Sequence, residues 1–173
     1  WRQLDKGIPA EVKSFICVIK SLNAYNKNKK FVRLIDEKGN KIQYFYKDKE
    51  KDQFTKFYDS DIIKVSGDYS PQKKVLTNIT MFEEIKSREL TKLKDINFIH
   101  PIKFNLEYKH SSFFGVNKEY HLYAMGLTYN EMLQDLYNRI KSTIELYLNP
   151  SIKFTESSKE HREKFLENFS IKN

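Results

Sequence analysis

The first half of the chain is broken into short apolar runs of period two. Residues 12–22 (VKSFICVIKSL) are apolar and rich in β-branched side chains, which predicts one unusually long strand. Residues 23–30 are polar and read as a loop, and residues 31–35 predict a second strand. The segment DEKGN at 36–40 predicts a tight turn in which Gly39 takes a positive φ. Residues 41–46 then alternate. Ile42, Tyr44 and Tyr46 fall on one side of a third strand, and Lys41, Gln43 and Phe45 on the other. Phe54, Phe57 and Tyr58 have helical spacing. Residues 61–69 and 75–85 predict the fourth and fifth strands, with Pro71 in the turn between them. Gly67 inside the fourth strand marks a bulge or a sharp corner. The order is β-β-β-α-β-β.

The second half has a different rhythm. Residues 87–98 are charged and read as a connector. Residues 98–108 (FIHPIKFNLEY), 113–120 and 120–125 predict three strands. Thr128-Tyr129-Asn130-Glu131 is a capping box, which opens a helix running to about residue 148. Its apolar stripe is Met132, Leu133, Leu136, Tyr137, Ile140, Ile144, Tyr147 and Leu148. Pro150 stops it, and a last helix starts near Thr155 or Ser157 and carries Phe165, Leu166 and Phe169. The expected class is α+β. A five-stranded barrel spans 1–86, a linker 87–98, and an antiparallel sheet with two helices 99–173.

Composition fits packed cores: 39% of residues are hydrophobic and 14% aromatic. No apolar run approaches the roughly 20 residues that span a bilayer, and no segment reads as a signal peptide. The lone Cys17 lies in an apolar run and has no internal disulfide partner, as expected in a reducing compartment such as the cytoplasm. The net charge is +8. It is uneven: residues 1–86 carry 18 Lys and Arg against 12 Asp and Glu, and residues 87–173 carry 13 against 11. The basic excess therefore sits in the first half, where it favours a polyanionic partner.

Two resemblances follow from these pieces. Residues 10–86 resemble the OB-fold, on the long first strand, on FVRLIDEKGNKIQYF, on the short helix, and on DSDIIKVSGDYSPQKKVLTNITMF with Gly67 at the corner. Residues 99–173 resemble HicB-like domains, truncated RNase H-like modules best known from antitoxins. That likeness rests on IKFNLEYKHSSFFGV and on YAMGLTYNEMLQDLYNRIKSTIELYL, with Gly126, Thr128, Glu131 and Met132 at the helix start. The HicB-like resemblance implies a domain without RNase H carboxylates, and here its first strand offers only Glu107. The OB resemblance implies that a nucleic-acid strand lies across the outward face of the second and third strands, flanked by two loops.

With Val32 and Leu34 inward, Phe31 and Arg33 face outward with Lys41, Gln43 and Phe45. The flanking loops add Lys27, Lys29, Lys30, Lys73 and Lys74. Aromatic rings stack on bases and lysines neutralise phosphates, so these ten residues are the candidate surface for single-stranded DNA or RNA. A register shifted by one residue would instead expose Tyr44 and Tyr46. The other reading is a protein-interaction module. There residues 99–173 dock a partner or a second copy through apolar residues of 113–125, and the barrel is a scaffold. Catalytic chemistry has no visible support. His100, His110, His121 and His161 lack metal-ligand spacing, Cys17 lacks an activating base, carboxylates are scattered singly, and no Gly-rich phosphate loop is present. No cofactor, metal or enzymatic activity is expected.

Overall fold

Strand β1 (Glu11–Ala24) is long enough to serve two neighbours. Its first half pairs antiparallel with β4 (Ile63–Ser70) and its second half with β2 (Lys30–Ile35). The β4 pairing ends at Cys17, and a bulge at Lys20 shifts the β2 register between Ile19 and Ser21. β2 pairs with β3 (Lys41–Phe45), β3 runs parallel to the start of β5 (Val75–Glu84), and β5 returns antiparallel to β4. The five strands close into a ring in the order β1-β2-β3-β5-β4. This is a computed structural model, and it describes residues 10–24 and 30–172. The architecture is α+β, with two sheets and three α-helices divided between two compact units, Trp1–Ile85 and Lys86–Asn173.

Alternation decides what fills the ring. Phe15, Cys17 and Ile19 of β1, Val32 and Leu34 of β2, and Ile42 and Tyr44 of β3 are buried together with Ile63, Val65 and Leu76. Each large apolar side chain buried in this way contributes about 1.5–3 kcal/mol. The short helix α1 (Lys51–Lys56) buries one residue, Phe54, whose ring meets Tyr44, Tyr46 and Phe82 at 5.3–5.7 Å between centroids. Burial holds the Cys17 thiol well above its ordinary range, with Glu37 and Asp36 adding to the effect, so it stays an unreactive core thiol. At Gly67 the β4–β5 register slips, and a Cβ there would stand 2.6 Å from the Thr77 carbonyl oxygen. The close approach of two backbones is why this position is glycine.

The turn between β2 and β3 is held by one carboxylate. Asp36 is buried and accepts from the Lys38 N–H at 2.9 Å, the Asn40 N–H at 2.7 Å and the Asn40 amide at 3.0 Å. Gly39 completes the reversal at φ 85°. Asp36→Ala leaves these donors without their acceptor, and unpaired donors cost about 1–3 kcal/mol. The expected result is a urea midpoint lowered by that free energy divided by the slope, with the slope unchanged. An unchanged midpoint would show that water replaces the carboxylate without penalty.

In the second unit, β7 (Ile96–Lys109) is the strand on which the others assemble. It pairs with β6 (Ser87–Leu93), β8 (Ser112–Asn117) and the short β10 (Phe169–Ile171), and β8 pairs with β9 (Leu122–Gly126). Residues 87–98 are therefore not a linker. SRELTKL is an edge strand whose charged side chains mask the strand pattern, as edge strands commonly do. The strand expected over 113–120 stops at Asn117, and the next starts at Leu122; residues 118–121 form the turn.

Helix α2 (Tyr129–Leu148) begins at Thr128, whose hydroxyl accepts the Glu131 N–H at 3.1 Å while Glu131 accepts the Thr128 N–H at 3.2 Å. Its buried face is Tyr129, Met132, Leu136, Ile140 and Ile144; Leu148, expected on the stripe, is exposed at the helix end. Helix α3 (Glu156–Asn168) starts at the cap Thr155 and buries Phe165. The buried Asn168 side chain bonds the His100 N–H at 2.6 Å and the His100 carbonyl at 3.3 Å, which leads the chain into β10.

His161 ties α3 to its surroundings. Its Nδ1 lies 2.7 Å from the Tyr147 hydroxyl of α2, and its ring stacks on His121 of the β8–β9 turn at 4.7 Å and 14°. Burial holds its basicity below the ordinary value of 6.5. The His121 ring acts in the same direction, the Tyr120 main chain partly opposes it, and Lys164 lowers it further. As pH falls below 6.5 the unfolded chain takes up a proton that folded His161 resists. Its contribution is thus whole above that pH and is lost below it. The thermal midpoint is expected to fall between pH 7.5 and pH 5, and to fall less in His161→Phe. An equal fall in the variant would assign the acid sensitivity to other groups.

Candidate nucleic-acid interface

The β2–β3 ladder sets the site. Phe31 stands opposite Phe45, Arg33 opposite Gln43 and Ile35 opposite Lys41. The intervening pairs, Val32 with Tyr44 and Leu34 with Ile42, are buried. Adjacent residues on a strand face opposite sides, so Phe31, Arg33, Lys41, Gln43 and Phe45 share the solvent side. The alternative register, with Tyr44 and Tyr46 outside, does not occur: each is only 7% exposed. Burial first, and then the Glu50 hydrogen bond at 2.8 Å, push the Tyr44 hydroxyl up to about 12. Tyr44 is therefore a neutral core residue tied to the segment before α1.

The Phe31 and Phe45 rings lie 6.0 Å apart, tilted by 57°. Phe45 is 49% exposed, and Phe31 and Arg33 are half-buried. A cross-strand aromatic pair of this kind stabilises the ladder and leaves π-surface open to solvent. Lys73 and Lys74 are exposed in the β4–β5 turn. The Lys74 carbonyl accepts the Gln43 N–H at 2.9 Å, which fixes this turn against β3. Val75 pairs with Gln43 and extends the same side onto β5. Sequence alternation alone did not assign Val75 to the surface, because the β3–β5 neighbour relation is visible only in the strand order.

The charges narrow the expected set. The Lys30 ammonium is paired with Asp48 and is partly covered, so it is not a free phosphate contact. Among the described residues, Arg33, Lys41, Lys73 and Lys74 make no ion pair. Lys27 and Lys29 lie outside the described residues. The structure thus brings Phe31, Arg33, Lys41, Gln43 and Phe45 onto one surface, and ties the Lys73–Lys74 turn to its β3 side.

Elsewhere, no group of three or more His, Cys, Asp or Glu among the described residues has metal-site geometry. Glu107 is exposed and paired with Lys109 at 2.9 Å. Among the described residues no helix is long and apolar enough to cross a membrane. No family model matches the chain, and neither a curated protein nor a solved structure matches it significantly.

Proposed function

We propose that the first unit is an OB-type barrel and that the protein is a non-catalytic nucleic-acid-binding protein. A single strand of DNA or RNA lies across β2 and β3, its bases on Phe31 and Phe45 and its phosphates near Arg33, Lys41, Lys73 and Lys74. The observation that carries this reading is the β2–β3 register, which sets the half-buried Phe31 and the exposed Phe45 beside cations that make no ion pair among the described residues, on the face opposite the core. The strand order, with α1 between β3 and β4, supports the barrel type. Base stacking on aromatic rings tolerates any sequence, and phosphate contacts release counterions. Log affinity for a mixed-sequence oligonucleotide is therefore expected to fall linearly with log salt. Binding that is absent at low salt, or indifferent to salt, would overturn the reading.

One observation favours a second reading, in which the second unit, as a HicB-like domain, docks a protein partner or a second copy. Tyr123 and Met125 are each 55% exposed and Leu127 70% exposed, on and just after β9. Docking by strand addition is hindered there, because Asp135 already accepts the outward Met125 N–H at 3.0 Å. A face-to-face contact is what remains. Light scattering at rising concentration tests it: a dimer lost in Tyr123→Asp supports this reading, and a strict monomer that binds no partner removes it.

A further inference from the structure

The second unit holds a pocket whose polar wall neither reading uses. It opens between the outer side of β9 and the exposed flank of α2, with a volume of about 330 Å³. Its polar wall carries several donors without a partner among the described residues. The His121 ring forms no hydrogen bond among the described residues, and neither does the Ser142 hydroxyl. The Asn138 carbonyl oxygen accepts from Gln134 at 2.9 Å, which turns its amide N–H groups free. Arg139 spends only Nε on Asp135, at 2.9 Å, and keeps its terminal nitrogens. The main chain adds one more donor. Because the Met125 N–H points away from β8 to Asp135, the ladder alternation turns the Tyr123 N–H to the same open side.

No carboxylate lines the pocket. Asp135, which bonds the lining residue Arg139, is also engaged by the Met125 N–H. The His121 ring is held in place from behind by its stack on His161, and its backbone takes a φ of 52°, uncommon for a residue other than glycine. Donors converge from the β8–β9 turn, the β9 backbone and α2, and the acceptors beside them are neutral carbonyl, amide, imidazole and hydroxyl groups rather than carboxylates. Such a set is complementary to a group that offers several oxygens and negative charge.

We propose that this pocket binds a tetrahedral oxyanion, a phosphate or sulfate group, through His121, Asn138, Arg139, Ser142 and the Tyr123 N–H. The group is a terminal one, free or carried on a larger molecule, read by its charge and by three or more unesterified oxygens, which a phosphodiester within a nucleic-acid strand does not offer. The test is a sulfate titration of the full chain followed by NMR, at constant pH and with chloride to hold ionic strength. Saturable shifts at Tyr123, Asn138, Ser142 and the His121 ring are expected. O-phosphoserine, the same kind of group on a carrier, is expected to give the same footprint. Arg139→Gln removes a charged donor and should weaken binding about tenfold. Ser142 is exposed, so Ser142→Asp keeps the fold and sets a like charge at the wall, and binding should be lost. No saturable shift in the parent protein, a footprint elsewhere for either probe, or unchanged binding in Ser142→Asp would overturn the proposal.

Discussion

Replacing Phe31 and Phe45 together with alanine is expected to weaken single-stranded oligonucleotide binding by roughly 30-fold or more. Each base stacked on an aromatic ring contributes about 1–3 kcal/mol, and every 1.4 kcal/mol is about tenfold in affinity. The two rings face each other across the ladder, so the double variant removes the whole stacking surface and leaves no ring behind to compensate. The core should tolerate the change, because Val32, Leu34, Ile42 and Tyr44 fill the ring from the other side. The loss should be similar at every salt concentration, since no charge is removed. Lys73→Glu with Lys74→Glu should act differently. Two lost phosphate contacts reduce the slope of log affinity against log salt by about 1.4, at roughly 0.7 per contact for a single strand. If the ring variant changes the salt slope and the lysine variant does not, the assignment of roles is wrong.

The second large effect is on folding. Gly126→Ala is expected to destabilise the second unit by about 3 kcal/mol or more. A Cβ at Gly126 would lie 2.2 Å from the Met132 nitrogen and 2.6 Å from the Glu131 carbonyl carbon. Both atoms belong to the first turn of α2, which the Thr128–Glu131 capping box holds in place. Neither can give way without moving the helix off the sheet. Gly115→Ala provides the comparison. There the nearest atom is the Met132 sulfur at 3.0 Å, the end of a flexible side chain, so its cost should be clearly smaller. Urea unfolding of both variants gives the order. Equal midpoints would mean that the strand-to-helix reversal is more pliable than its packing implies.

Much of the first unit was legible because β2 and β3 each alternate between a buried face and an open one. In residues 41–46 the apolar positions recur every second residue, and a slip by one would bury Lys41 and Gln43; the register follows from that cost. The same holds for residues 102–108, where Ile102, Phe104, Leu106 and Tyr108 alternate inward. The capping box at Thr128 was readable because its two hydrogen bonds are local. What stayed hidden depends on contacts between distant residues or on weak patterns. β6 is a charged edge strand, and β10 has three residues whose pairing is led by Asn168, a side chain with no local signature. The Lys30–Asp48 pair spans the β2–β3 hairpin and converts an expected phosphate contact into an internal one. The His121–His161 stack joins a turn to a helix forty residues away, and no spacing rule marks it.

The most direct test of the account is the backbone-amide NMR footprint of a short single-stranded oligonucleotide on the full chain at low salt. The predicted result is a set of shifts confined to β2, β3 and residues 71–75, strongest near Phe31, Arg33 and Phe45. A footprint on β9 and α2 instead, or no footprint at all, would contradict it.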